Sequence, residues 1–261
     1  MWLLDLGNTR LKLALGRDAG LGPVTALAHD EAAFEARLRQ ALGGRGADFA
    51  ANAAAADAQA SAAWLASVAP VGVRLRVEAA LEAAGLRVER VTTQRECAGV
   101  RIAYADPARL GVDRFLGLLA ARARGGDQLV VSFGSAITVD LLDTRGRHHG
   151  GLIGIAESHA RAALFERFPA LDRGQGEPSA AFAADTPDAV AAGTHRQALG
   201  LVLAAWDDAC AVLGRPPALL LGGGDAPAYA DALSRRLRAD AAVTDALVLE
   251  GLRVYADAAP R

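Results

Sequence analysis

Met1-Trp2-Leu3-Leu4-Asp5-Leu6-Gly7-Asn8-Thr9-Arg10-Leu11-Lys12-Leu13-Ala14-Leu15 opens the chain. An apolar run to Leu4 meets a turn-forming Gly7-Asn8-Thr9, after which Leu11, Leu13 and Leu15 alternate onto one face, so the segment reads as strand, tight turn, strand. The pattern returns at Gln128 to Asp143, QLVVSFGSAITVDLLD, where an apolar strand meets Phe133-Gly134-Ser135 and Ile137, Val139 and Leu141 alternate. Setting Gly7 on Gly134 aligns Asp5 with Ser132 and Asn8 with Ser135, at an offset close to half the chain. The chain therefore reads as two copies of one α/β unit, each opened by a hairpin whose turn carries glycine and hydroxyl or amide side chains.

Outward from the first hairpin, Phe34, Leu38 and Leu42 recur four apart, so Asp30 to Leu42 reads as an amphipathic helix ended by Gly43-Gly44. Ala50 to Ala63 is an alanine-dominated stretch, a helix or loop edge. A strand over Trp64 to Val68, a helix over Val73 to Ala84 and a strand over Leu86 to Val91 follow. Pro107 to Arg124, opened by proline and closed by Gly125-Gly126, reads as one long helix. The second half adds helices over Glu157 to Phe168 and Pro187 to Leu213, a loop over Pro169 to Pro178, a strand over Ala218 to Leu221, and helices over Ala226 to Leu237 and Ala246 to Ala258. Strands alternating with helices give an α/β class with covered sheets.

Composition narrows the function. The 261 residues carry 28 Lys plus Arg against 30 Asp plus Glu and only 5% aromatics, so neither a basic field nor a stacking surface for nucleic acid exists. Mean hydropathy is +0.19, but no apolar run reaches the roughly 20 residues of a membrane-spanning helix, and alanine explains the excess. Asp5, Arg10 and Lys12 interrupt what would be the apolar core of an export signal, so a cytoplasmic location is expected. Cys97 and Cys210 stand far apart, outside any disulfide or zinc pattern.

A duplicated hairpin bearing Asp-x-Gly invites a phosphate reading, since glycine lets backbone N–H groups approach an anion and a strand carboxylate can hold the accompanying metal or water. The spacing alone is equally that of an ordinary hairpin turn. GxxxxGK[ST], GxSxG and HExxH are absent, and Gly222 to Pro227 (GGGDAP) does not make GxGxxG. Read singly, Asp113-Arg114 is also a solvated pair in a first helical turn, Tyr104 a packing residue and Thr186 before Pro187 a helix cap. His148-His149 offers a metal or acid/base pair, but after Arg145-Gly146-Arg147 it reads better as an exposed turn.

Taken in order, Asp5-Leu6-Gly7-Asn8-Thr9 with Lys12, Ser67-Val68-Ala69-Pro70, Tyr104 ahead of Pro107, Gly111-Val112-Asp113-Arg114, Ser132 to Asp140, Gly150-Gly151-Leu152-Ile153 and Thr186 in TPDAVAAG resemble the type III pantothenate kinases. The resemblance spans nearly the whole chain. It implies two related actin-like, ribonuclease H-like domains, 1–115 and 116–261, with a cleft between them. It further implies transfer of the γ-phosphate of ATP to pantothenate, with Mg²⁺ and a monovalent cation (K⁺ or NH₄⁺), by a homodimer.

Carried over by position, Asp5, Leu6, Gly7, Asn8, Thr9, Arg10, Leu11 and Lys12 would embrace the ATP phosphates, with Asp5 near the divalent ion. Gly134 and Ser135 would meet ATP from the second hairpin. Asp113 would be the general base, and Tyr104, Gly111, Val112, Arg114 and Thr186 would hold pantothenate with it. The sequence also departs from the family. Ser132 stands where an aspartate helps bind the monovalent cation, Ile155 and Ala156 replace an expected Pro and Gly, and Leu221 replaces a common threonine. A neutral hydroxyl can ligate but brings no charge. These departures keep an alternative open: a non-catalytic or regulatory homologue with a degenerate second phosphate site.

Overall fold

A computed structural model describes residues 1–17, 20–53, 62–172, 174–178 and 181–259. Most of the alanine-rich stretch, 54–61, lies outside them. The elements in chain order are β1 (Trp2–Leu6), β2 (Arg10–Arg17), β3 (Gly20–Leu21), β4 (Thr25–Ala28), α1 (Phe34–Ala53), β5 (Ala62–Ser67), α2 (Val71–Ala83), β6 (Arg87–Arg90), β7 (Glu96–Cys97), β8 (Val100–Arg101) and α3 (Val112–Arg124). They continue with β9 (Gln128–Phe133), β10 (Ala136–Leu142), β11 (His148–Ile155), α4 (Glu157–Arg167), α5 (Thr186–Leu213), β12 (Ala218–Gly222), α6 (Ala226–Leu237), β13 (Ala241–Val243) and α7 (Leu247–Ala258).

Two compact units result: Met1–Arg124 joined by Ala246–Arg261, and Gly125–Asp245. The division falls beyond the 115/116 boundary read from the sequence, because the whole of α3 belongs with the first unit and the chain returns there as α7.

In the first unit the sheet runs β3-β2-β1-β5-β6, with β4 also on β2; in the second it runs β11-β10-β9-β12-β13. Apart from β4, which has no counterpart among the described residues, the pairings correspond. β1 is antiparallel to β2 and parallel to β5, as β9 is antiparallel to β10 and parallel to β12, and a last parallel strand follows in each. The repeat inferred from Gly7 and Gly134 is thus a repeat of topology.

Strand alternation explains each core. Leu4 and Leu6 of β1 and Leu11 and Leu13 of β2 are buried with Phe34 and Leu38 of α1. Leu3, on the opposite face of β1, is equally buried because α7 covers that side. In the second unit Val131, Phe133, Ile137 and Val139 pack with Val202 and Trp206 of α5. Each such side chain contributes about 1.5–3 kcal/mol of burial free energy.

Three expectations change. α1 continues through Gly43 to Ala53, since helical glycine costs only about 1 kcal/mol and alanines follow. The helix expected over Pro107 to Arg124 is a 3₁₀ turn, Pro107–Arg109, then a break, then α3. Asp185, not Thr186, caps α5: its Oδ1 accepts from the Asp188 N–H at 3.1 Å, and Thr186 is the first helical residue.

Candidate active site

The first hairpin turn is closed by the Gly7 N–H donating to the Arg10 carbonyl at 3.0 Å, leaving Asn8, Thr9 and Arg10 exposed. Leu6 and Leu11 flank it with side chains in the core, so only their backbones can meet a ligand. Asp5 sits directly opposite Lys12 across the β1–β2 pair. A residue unmarked in the sequence supports this turn: His29, after β4, has Nε2 3.2 Å from the Gly7 carbonyl. A carbonyl can only accept, so Nε2 carries the proton. The partners are 22 residues apart, and no local pattern links them.

The break before α3 sets the second group. Thr93 Oγ1 donates to the Leu110 carbonyl at 2.8 Å, and the Phe115 N–H opens the helix on the Gly111 carbonyl. Asp113 lies in the first turn, its Oδ1 accepting from the Arg114 N–H at 2.9 Å. A Cβ on Gly111 would come within 2.6 Å of that Oδ1, so glycine there leaves room for the carboxylate to fold back. Val112 is buried beside it. Arg114 is buried too; its Nη1 donates to the Tyr104 hydroxyl at 3.2 Å, and its guanidinium lies 5.8 Å from the ring centroid.

Electrostatics joins the two groups. Asp5 is held by its surroundings so that its pKa rises to about 7, first through burial, then through the charge of Asp113, with Lys12 pulling partly the other way. Lys12 and Asp113 thus both act on Asp5, and one unit holds the three with Tyr104, Gly111 and Arg114.

The second unit carries the remaining residues. Ser132 pairs with Thr138 across its hairpin, and the Gly134 N–H closes a tighter turn on Ala136 at 3.1 Å, with Ser135 exposed. Phe133 stacks on Tyr229 at 4.2 Å between centroids, His195 stacks on the other face at 4.9 Å, and Glu157 Oε2 accepts from the Tyr229 hydroxyl at 2.6 Å and faces His195 Nδ1 at 3.0 Å. Burial, then this bond, pushes the Tyr229 phenol well above its ordinary pKa. Thr186 borders a cavity of about 630 Å³ that Asp185, Val190, Thr194 and Gln197 also line. His148 corrects its reading as part of an exposed turn: it is buried in β11, Nε2 3.0 Å from the equally buried Asp140. Its neighbour His149 meets Asp143, also at 3.0 Å.

The family model described as type III pantothenate kinase matches residues 1–208. A type III pantothenate kinase of Xanthomonas campestris pv. campestris (strain B100) is 41% identical over 258 residues, covering 98% of this chain and 96% of that protein. Among solved structures, a conserved Campylobacter jejuni protein described as a Baf family transcriptional activator aligns at a TM-score of 0.59 with 18% identity, covering 97% of this chain and 96% of the other. The activator of 2-hydroxyisocaproyl-CoA dehydratase from Clostridium difficile, with bound ADPNP, aligns at 0.54 with 12% identity over 99% and 94%. At such identities these likenesses give the fold alone, two related α/β units each built on one mixed sheet. By the family model and by 41% identity over almost its entire length, the chain belongs to the type III pantothenate kinase family.

Proposed function

We propose that the chain, as a homodimer in the cytoplasm, transfers the γ-phosphoryl group of ATP to pantothenate with Asp113 as general base. The observation that supports this reading is electrostatic proximity: the charge of Asp113 reaches Asp5, which faces Lys12 in the first hairpin. Phosphoryl transfer needs little beyond in-line positioning, neutralisation of phosphate charge and a base at the attacking hydroxyl. Asp113 takes the proton of the primary alcohol as the alcohol oxygen bonds to the γ-phosphorus and the bond from that phosphorus to the bridging oxygen breaks, releasing ADP. Arg114, braced on Tyr104, presents a cation to the anionic substrate beside Gly111 and Val112, while Thr186 of the second unit is assigned to pantothenate by the family resemblance alone. In the first unit the backbone of Gly7 to Arg10 and the Lys12 ammonium receive the phosphates; Gly134 and Ser135 of the second unit are assigned to ATP by the family resemblance alone.

The donor set fits a divalent ion carried by the nucleotide. Asp5 is a carboxylate whose ionisation its surroundings disfavour, and a nearby cation relieves that. Among the described residues no three His, Cys, Asp or Glu side chains cluster around one point, which suits Mg²⁺ with one or two carboxylates and otherwise phosphate and water oxygens. Asp5 would hold it, and the ion supplies charge neutralisation on the phosphates.

A monovalent cation, K⁺ or NH₄⁺, would have to rest on Ser132, which brings oxygen without charge. Turnover is therefore expected to be the same in KCl as in NaCl of equal strength, and stimulation specific to K⁺ or NH₄⁺ would restore the cation. Exposed Leu152, Ile153 and Ile155 on the edge strand β11 support the dimer, to be tested by light scattering for twice the 26.9 kDa chain mass. The decisive assay couples ADP release to pantothenate and ATP with Mg²⁺. Asp113→Asn should lower kcat by about 10²–10⁴ while ATP still binds. An unchanged rate refutes the base, and no turnover by the unaltered protein favours the non-catalytic homologue.

A further inference from the structure

The family model ends at residue 208, yet the chain's last helix, α7, belongs to the unit that holds Asp113. α7 lies along α3, and at Gly251 the two backbones nearly touch. A Cβ built on Gly251 would overlap the Leu116 carbonyl oxygen and stand 2.5 Å from its carbon, closer than real Cβ atoms come to anything. Leu116 is one turn beyond Asp113. One turn further along α7, Tyr255 is buried with its ring edge-on to Phe115 at 6.2 Å and to Trp64 at 5.9 Å. Its hydroxyl accepts from Gln94 Nε2 at 2.8 Å, and the adjacent Thr93 holds the Leu110 carbonyl at the break. α7 thus touches the helix just after Asp113 and, through Gln94 and Thr93, reaches the chain just before it.

We propose that α7 is the positioning element of the catalytic carboxylate, with Gly251 and Tyr255 as positioning residues that fix α3 and its first turn at the working distance. This rests on the reading of Asp113 as base. An alanine at 251 must drive the helices apart by about 1 Å, and a misplacement of that size at a reacting group lowers rate by about 10².

The test measures kcat and KM for both substrates in Gly251→Ala, Tyr255→Phe and a control, Leu38→Ala, which opens a cavity in the α1 side of the same unit. Gly251→Ala should lose about a hundredfold in kcat and Tyr255→Phe, which keeps both ring contacts, severalfold, with KM for ATP held within about twofold. Leu38→Ala should lower Tm yet retain kcat below its transition. The proposal is overturned if Leu38→Ala loses kcat as the other two do for an equal loss of Tm, or if Gly251→Ala and Tyr255→Phe both keep kcat. Gly251→Ala added to Asp113→Asn should cost little more than Asp113→Asn alone, because the positioned group is already gone. Full additivity overturns the inference while leaving the base intact, whereas an unimpaired Asp113→Asn overturns the base itself. If Gly251→Ala does not fold, Tyr255→Phe alone and with Asp113→Asn decides on the same criteria.

Discussion

Replacing Asp5 with asparagine should make the nucleotide-free protein more stable, and by an amount that depends on pH. In the folded chain the carboxyl titrates at about 7, raised by burial and by Asp113; in the unfolded chain it returns to about 4. Below pH 4 the group is protonated in both states and contributes nothing. Between pH 4 and 7 the unfolded chain releases the proton and the folded chain keeps it, so stability falls as pH rises and levels off above 7. About three decades of proton affinity, at about 1.4 kcal/mol each, give a deficit of about 4 kcal/mol at pH 8. Asparagine cannot ionise and escapes it.

Denaturant and thermal unfolding from pH 4 to 8 without nucleotide would read this directly. At pH 4 the two proteins should nearly coincide, while at pH 8 Asp5→Asn should melt higher, on the order of 10 °C for a chain of this size. Companion variants fix the cause. Lys12→Met removes the partner that lowers the Asp5 pKa and should carry the decline past pH 7; Asp113→Asn removes a charge that raises it and should make the decline shallower. Mg²⁺ with ATP should then stabilise the unaltered protein more than Asp5→Asn, since only the former has the carboxylate to offer. Parallel stability curves for the two proteins across this range would refute the burial of charge at Asp5.

Three further outcomes are expected. Asp127, whose carboxylate meets Arg215 and accepts from the Thr144 N–H at 2.8 Å, titrates below the ordinary range; Asp127→Asn should lose about 1–3 kcal/mol at pH 7, and the gap in denaturant midpoint should close as pH falls through the depressed value. Tyr229→Phe keeps the ring against Phe133 but gives up the bond to Glu157, so unfolding should show a loss of about 1.5–3 kcal/mol and kinetics a raised KM for ATP with that for pantothenate unmoved. Gly223, at φ +91°, has the Phe133 backbone within 2.7 Å of where a Cβ would be, so calorimetry of Gly223→Ala should show a loss on the order of 3 kcal/mol.

The hairpins, the repeat and most strands and helices were legible because their signal is local: alternation at period two and glycine at the turn. What escaped was decided at a distance. Leu110 and Gly111 fit a continuing helix as well as a break, and the Leu110 carbonyl is turned by Thr93, 17 residues earlier. His148 looked solvated because its partner, Asp140, lies on the neighbouring strand of an antiparallel pair. Asp185 and Thr186 are both good capping types, and only the extended backbone of Asp185 selects it. For the site, the ordered motifs named Asp5, Asp113 and Arg114. They could not name His29, Tyr229 or Gly251, whose roles consist of contacts with residues far along the chain.

The duplication shows where the two halves parted. Apart from β4, strand order and pairing sense are the same in both units, so topology was kept. The turns differ by one residue: Leu6 pairs with Leu11, but Phe133 pairs with Ile137. Shortening the turn slides the partner strand, and the residue facing the Asp5 position is Lys12 in the first hairpin but Thr138 in the second. A charged pair thus corresponds to a hydroxyl pair, Ser132 with Thr138. A lone aspartate at 132 would lack the ammonium that tempers Asp5, and its ionisation would need an outside cation. Serine removes that need together with the charge. The first hairpin thus carries a facing carboxylate and ammonium and the second a facing pair of hydroxyls, a division that composition, with its near balance of charges, could not reveal.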